Sequence, residues 1–329
     1  MTSPYDIEEI FPGETVRLPR WQAGNAPQGL AVTLLADYTL ASRAALPSAA
    51  IVALLGEAGV SHAGARAAIS RLARRGVLEV SRQGRNSSYR LTSAAALVLS
   101  TGGRAIVSSA AGTKTWDQQW TLIAFSLPRD AVTQRRELRS RLRWLGYAPL
   151  YDGLWISPRD LTERTRTQLA RLTFGTLTVF RARHVDLDST IRRDPMDAWD
   201  TDAIARQYES FIRQWSPLPD RIHAARIVGA DAVRARTEVM DSYRRLPILD
   251  PQLPIQLLPP GWLREPARNL FAEVYDGLAT PAEDYVRAVA SRFTTDPLPG
   301  IRAHTVADLL SGLSDTRDTD ESSAEPSRS

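Results

Sequence analysis

With 329 residues, 43% of them hydrophobic and 24% charged, the chain has apolar material for two or three buried cores, which excludes a wholly disordered polypeptide. It has no cysteine, which excludes disulfides, thiolate metal sites and cysteine nucleophiles, and no apolar run long enough to span a bilayer. The formal net charge of +4 is unevenly placed: from Gln28 to Thr92 eight arginines face three carboxylates, a net of +5 that leaves about −1 for the rest.

Residues 1–27 carry Pro4, Pro12, Pro19 and Pro27 without helical or strand periodicity and read as an N-terminal arm. The acidic, proline-bearing start does not resemble a signal peptide, so the cytoplasm is the expected location. The next block, 28–95, contains the strongest local pattern. Pro47 suits the first turn of a helix that carries Ile51, Leu54 and Leu55. Gly59 then permits a tight turn, and Ser61 is placed to cap a second helix. Ala65, Ile69 and Leu72 cluster on the core side of that helix, and its other side presents Ala63, Arg66, Ala67, Ser70, Arg71 and Arg74.

Long guanidinium donors alternating with very small residues can enter a DNA groove closely, because arginine binds guanine O6 and N7 bidentately and alanine or serine can approach a thymine methyl. The same pattern also suits a solvated amphipathic helix. The segment that follows favours the first reading. Gly76 can end the helix, and Val77 to Arg82 and Ser87 to Leu91 alternate as two strands about Gln83-Gly84, with Arg82, Arg85, Asn86 and Ser87 at the tip. A basic helix followed directly by an arginine-tipped hairpin is the pattern of a winged helix-turn-helix, whose helix reads base edges while the wing holds phosphates or the minor groove. The expected DNA-binding residues are therefore Arg66, Ser70, Arg71, Arg74, Arg82, Arg85, Asn86 and Ser87.

A Ser/Ala/Gly-rich stretch at 96–115, with Gly102, Gly103 and Gly112, reads as a linker. Then come a strand over Trp120 to Phe125 and a helix over Val132 to Leu145 with Leu138, Leu142 and Leu145 at helical spacing. Short extended runs at Ala148 to Leu150 and Gly153 to Ile156, a helix over Leu161 to Leu172 and a strand over Leu177 to Arg181 complete the order βαββαβ within 116–190, a ferredoxin-like pattern. Arg135, Arg136, Arg139 and Arg143 lie along one flank of its first helix, but with Asp130 and Glu137 nearby this reads as a solvated face. Residues 191–312 read as helical, with stripes at Ile204, Tyr208, Phe211, Ile212 and at Leu270, Phe271, Val274, Tyr275, interrupted by the proline-dense Leu246 to Pro260. The tail 313–329 lacks large apolar residues and is expected to be disordered. The fold class is thus α+β.

Motifs for catalysis are not found: there is no GxGxxG, GxSxG or HExxH, the four histidines are scattered, and AAGTKT at 110–115 lacks the ending of a phosphate loop. No catalytic residue, metal or cofactor is expected.

Three segments in the same order resemble the PaaX family of phenylacetate-catabolism repressors. They are RAAISRLARRGVLEVSRQGRNSSYRLT in the N-terminal block, LRSRLRWLGYAPLYDGLWISPRD in the middle, and AWDTDAIARQYESFIRQWSPL with YRRLPILDPQLPIQLLPPGWLREPARNLFAEVY in the last. One departure is WDQQW at 116–120, where the family pattern has glycine near the centre. The resemblance implies a Cas2-like ferredoxin domain that dimerises in the middle and a helical domain at the end, where an effector is expected. It also implies a homodimeric regulator, usually a repressor, that binds a palindromic operator in double-stranded DNA and is released by an acyl-CoA thioester such as phenylacetyl-CoA. The family's DNA-reading positions carry over to Arg66, Ser70, Arg71, Arg74, Arg82 and Arg85 only. Two other classes stay open: a Cas2-like metal-dependent nuclease or RNA-binding protein, for which no paired carboxylate is evident beside Asp130, and a winged helix used for protein contacts.

Overall fold

A computed structural model describes residues 27–84, 86–108, 115–170, 176–185, 194–295 and 297–312. The expected arm, apart from Pro27, and the expected tail lie outside them, as does Arg85. The described residues fall into two compact units, neither continuous in sequence. One lies within Ser109–Phe211 and Arg245–Ala267; the other lies within Tyr5–Ser108, Ile212–Arg244 and Arg268–Ser329.

The second unit begins with α1 (Pro27–Thr39), a helix buried on nearly all sides, followed by a short strand β1 (Leu46–Pro47). Then come α2 (Ser48–Glu57), α3 (His62–Arg74) and the hairpin β2 (Leu78–Gln83) and β3 (Asn86–Leu91). Pro47 differs from its expected place: it precedes α2 as the N-cap residue and pairs with Ser88, so β1 adds a third strand to the sheet in the order β1-β3-β2. The stretch expected as a linker is largely the helix α4 (Ser93–Ser108), with Ala95, Ala96, Val98 and Val107 buried. Its glycines do not break it, because the surface of Gly103 receives Leu309: a Cβ there would lie 3.1 Å from Leu309 Cδ2.

The first unit contains β4 (Trp120–Ser126), α5 (Val132–Trp144), β5 (Ala148–Tyr151), β6 (Leu154–Ser157), α6 (Glu163–Ala170) and β7 (Thr176–Ala182). These match the expected βαββαβ succession. The sheet is antiparallel in the order β5-β6-β4-β7, so that β6 separates β4 from β5 in the split arrangement of ferredoxin-like domains. Ile123, Leu138, Leu142, Tyr147, Trp155 and Leu169 form its core. In WDQQW, Gln118 takes φ of 62°, so the residue at the expected glycine position adopts the left-handed conformation that glycine favours.

After a 3₁₀ turn at Pro195–Ala198, the regular elements among the described residues are helical: α7 (Thr201–Trp215), α8 (Leu218–His223), α9 (Gly229–Tyr243), α10 (Arg245–Leu249), α11 (Arg264–Gly277), α12 (Ala279–Ala290) and α13 (Val306–Ser311). Both expected stripes are only partly buried: Tyr208 and Phe211 in the first and Phe271, Val274 and Tyr275 in the second are core residues. In the first unit the proline-dense connection closes on the Asp250 carboxylate. Asp250 accepts from Arg264 Nε at 2.7 Å and Nη2 at 2.8 Å, from Tyr208 at 2.7 Å and from the Gln252 amide at 2.7 Å.

Candidate nucleic-acid interface

The sequence around α3 builds a rigid helix with one free face. Gly59, at φ 79°, turns the chain back after α2, and Ser61 caps α3 by accepting from the Gly64 amide at 3.1 Å. Ala65, Ala68, Ile69 and Leu72 are at most 2% exposed and lock the inner face against α1 and α2. Arg66, Ser70, Arg71 and Arg74 all lie exposed on the other face, with Ala63 exposed and Ala67 half-buried between them. Arg71 is partly steered, its Nε donating to the Ala67 carbonyl at 3.2 Å. His62, treated in the sequence as one of four scattered histidines, occupies the first helical position and is exposed on that turn.

The hairpin follows the period-two rule of a strand pair. Leu78, Val80 and Arg82 share one face with their partners Leu91, Tyr89 and Ser87, which grades from buried at the base to charged at the tip. Arg82 and Asn86 are exposed and Ser87 is half-buried. On the opposite face Glu79 pairs across the strands with Arg90 at 2.8 Å and also accepts from Arg43 at 2.6 Å. Arg43 also donates to the Leu91 carbonyl at 3.1 Å. Arg43 and Arg90 therefore hold the base of the hairpin, which leaves the field of α3 and the tip as the arginine surface of this segment. Asp37 does not offset that field as the sequence count assumed: its side chain is buried, and burial raises its pKa above the usual carboxylate value.

The structure thus gathers four expected residues on one face of α3 and three, Arg82, Asn86 and Ser87, at the end of the hairpin. In the other unit, the arginines of α5 have local partners. Arg135 donates to the carbonyls of Leu127 and Pro128, Arg139 pairs with Asp152 at 2.7 Å, and Arg143 lies 5.6 Å from the ring centre of Trp155. Arg139 and Arg143 line an open cleft of about 330 Å³ with Tyr151 and Trp155. Among the described residues no cluster of three or more His, Asp or Glu side chains is placed to hold a metal ion, and Asp130 stands exposed at the end of the strand β4 loop. No helix among them is long and apolar enough to cross a membrane.

Three family models match in succession: the PaaX-like protein model at residues 26–95, the PaaX protein central Cas2-like domain at 113–192 and the PaaX-like protein C-terminal domain at 199–288. The chain belongs to the PaaX family. Within it, the Transcriptional repressor PaaX of Escherichia coli strain K12 is 27% identical over 241 residues, covering 72% of this chain and 75% of that protein. Among solved structures, the Uncharacterized protein Rv0674 from Mycobacterium tuberculosis superposes with a TM-score of 0.52 at 20% identity, over 81% of this chain and 97% of that one. At that identity the likeness speaks for a shared fold. The PaaX central domain coincides with the β4–β7 sheet unit, and the PaaX C-terminal model covers the helices from Trp199 into α12.

Proposed function

We propose that this PaaX-family chain is a sequence-specific DNA-binding transcriptional repressor whose N-terminal segment is a winged helix-turn-helix. The observation that carries the reading is the exposed face of α3, where Arg66, Ser70, Arg71 and Arg74 stand beside small side chains on a helix fixed by its inner face. In this reading α3 enters the major groove: Arg66 and its neighbours meet base edges, with His62 and Ala63 in the leading turn, and Arg82, Asn86 and Ser87 meet the backbone or minor groove. Arg85 belongs to the same tip by its place in sequence.

The repressor acts as a homodimer in the cytoplasm on a palindromic operator, the Cas2-like unit providing the dimer contact, and an acyl-CoA thioester releases it. Support for this part comes from the kinship with the Escherichia coli repressor. An anionic, ring-bearing effector would find charge at Arg139 and Arg143 and stacking surface at the exposed ring of Tyr151. In this reading the protein performs no catalysis, and kinship with the Escherichia coli repressor favours it over a Cas2-like nuclease or RNA-binding role.

The test begins with selection of bound duplexes from a random pool, followed by mobility-shift titration of the enriched site with acyl-CoA thioesters. Enrichment of an inverted repeat whose complex is dissolved by a thioester is expected. A pool that stays random through successive rounds overturns the DNA-reading assignment; an inverted repeat insensitive to every thioester overturns only the effector.

A further inference from the structure

The two helices on which α3 rests both have residues at their C-terminal ends held by partners far along the chain. An α-helix leaves its last four carbonyls without helical partners. For α1 these belong to Ala36, Asp37, Tyr38 and Thr39, and three are taken by residues more than 260 positions later. The Tyr38 carbonyl accepts from the Arg302 amide at 2.9 Å, the Asp37 carbonyl accepts from the His304 amide at 3.2 Å, and His304 Nδ1 lies 3.0 Å from the Ala36 carbonyl. Since a carbonyl oxygen can only accept, Nδ1 carries the proton. The Asp37 side chain is fixed from the same direction, accepting from the Tyr275 hydroxyl at 2.7 Å.

Helix α2 is closed locally by the Gly59 and Val60 amides on the Gly56 and Leu55 carbonyls, but its last residue, Glu57, is held from far along the chain. The Glu57 carbonyl accepts from Arg234 Nε at 3.2 Å, and Glu57 Oε1 accepts from the Tyr285 hydroxyl at 2.8 Å. Arg234 also places positive charge at the helix C-terminus, where the macrodipole favours it. Arg236, fully buried at the centre of this junction, stacks its guanidinium 3.6 Å from the ring centre of Tyr275 and donates to the carbonyls of Tyr275 and His304. A void of about 20 Å³, near the size of one water, lies in the seam between α1, α2 and α9. The ends of both supporting helices are thus tied to α9, α12 and the segment Arg302–His304, none of which supplies a residue to the DNA-facing surface.

We propose that Arg234, Tyr285 and the segment Arg302–His304 are positioning residues for DNA recognition, acting through Glu57 and the end of α1 to fix the angle at which α3 is presented. This rests on the DNA-reading assignment above and names how the same surface is controlled. Base readout depends on the placement of α3 to within hydrogen-bond tolerance, whereas contacts to phosphate tolerate small rotations. Loosening the seam therefore weakens selective binding more than general binding.

The experiment compares the full-length protein with the Arg234→Met, Tyr285→Phe double variant on the selected duplex and on a scrambled duplex, at several salt concentrations, with circular dichroism melting run in parallel. The expected result is a roughly tenfold loss of affinity for the selected duplex, the loss of two hydrogen bonds that hold the bound geometry. Affinity for the scrambled duplex and its salt slope stay unchanged. Glu57→Gln, which keeps an acceptor for Tyr285, should bind as the unaltered protein does, and Glu57→Ala should not. Unchanged selective affinity in the double variant overturns the proposal, as does a parallel fall on both duplexes accompanied by loss of the folded signal. If the unaltered protein shows no preference between the duplexes, the DNA-reading assignment itself has failed.

Discussion

His304 ties α1 to the C-terminal segment, and its chemistry makes that tie sensitive to pH. The side chain is buried, 1% exposed, and burial followed by the nearby positive charge of Arg236 pushes its pKa from 6.5 down to about 4. With the folded value below the unfolded one, the unfolded chain binds more protons between these limits. The stability contributed by neutral His304 is then complete above its unfolded pKa of 6.5 and is lost as pH falls toward 4. Applying linkage to those two values, moving from about pH 7.5 to about pH 5 costs about 2 kcal/mol at this one residue. His304→Asn isolates the effect, because an asparagine amide nitrogen can donate to the Ala36 carbonyl in place of Nδ1 but does not titrate. Urea unfolding of both proteins at the two pH values should show the unaltered protein losing about 2 kcal/mol more than the variant. Equal losses in the two proteins would mean that His304 is not held neutral by burial, and the reasoning would be refuted.

Other substitutions probe the remaining links. Arg66→Ala should narrow the affinity gap between the selected duplex and one altered in a single guanine by about 1–3 kcal/mol, measured by fluorescence anisotropy, with the melting temperature unchanged. Arg82→Ala should weaken binding to all duplexes alike and reduce the slope of log affinity against log salt by about 0.9 if the residue neutralises one phosphate. Ser61→Ala, which removes the cap of α3, should cost about 1 kcal/mol in urea unfolding. Arg264→Met should cost about 3–5 kcal/mol, since it leaves the Asp250 carboxylate buried without its charge partner; a cost below about 1 kcal/mol would show that Tyr208 and the Gln252 amide suffice.

Elements whose order follows from local pattern were readable in the sequence. The inner face of α3, its serine cap, the turn glycines and the βαββαβ succession each rest on spacing within one or two elements, and the structure places them as expected. Helix α1 carried no comparable signal, because it is packed almost all round and so shows no polar stripe. Residues 96–108 are helical where a linker is expected, and for a different reason: small residues and paired glycines resemble a flexible linker unless the partner is known, here Leu309 seated against Gly103. The largest gap concerns Asp37, which at the level of sequence is only one of the three carboxylates in the charge sum. Its role depends on Tyr275 and Arg236, some two hundred residues away, and no local spacing reveals that an acidic side chain in an apolar helix is matched by a distant buried arginine. For the candidate site, α3 and the hairpin were legible because they are contiguous. The helices that hold their angle were not, because those contacts join the two ends of the chain.

The most direct test of the central claim is occupancy of chromosomal DNA in the native host by the tagged protein and by its Arg66→Ala variant, measured side by side. Discrete peaks sharing an inverted repeat, present for the unaltered protein and lost for the variant, are the predicted result. Peaks that are identical for both proteins would contradict the assignment of α3 as the reading helix, and the absence of any enriched DNA would contradict the account as a whole.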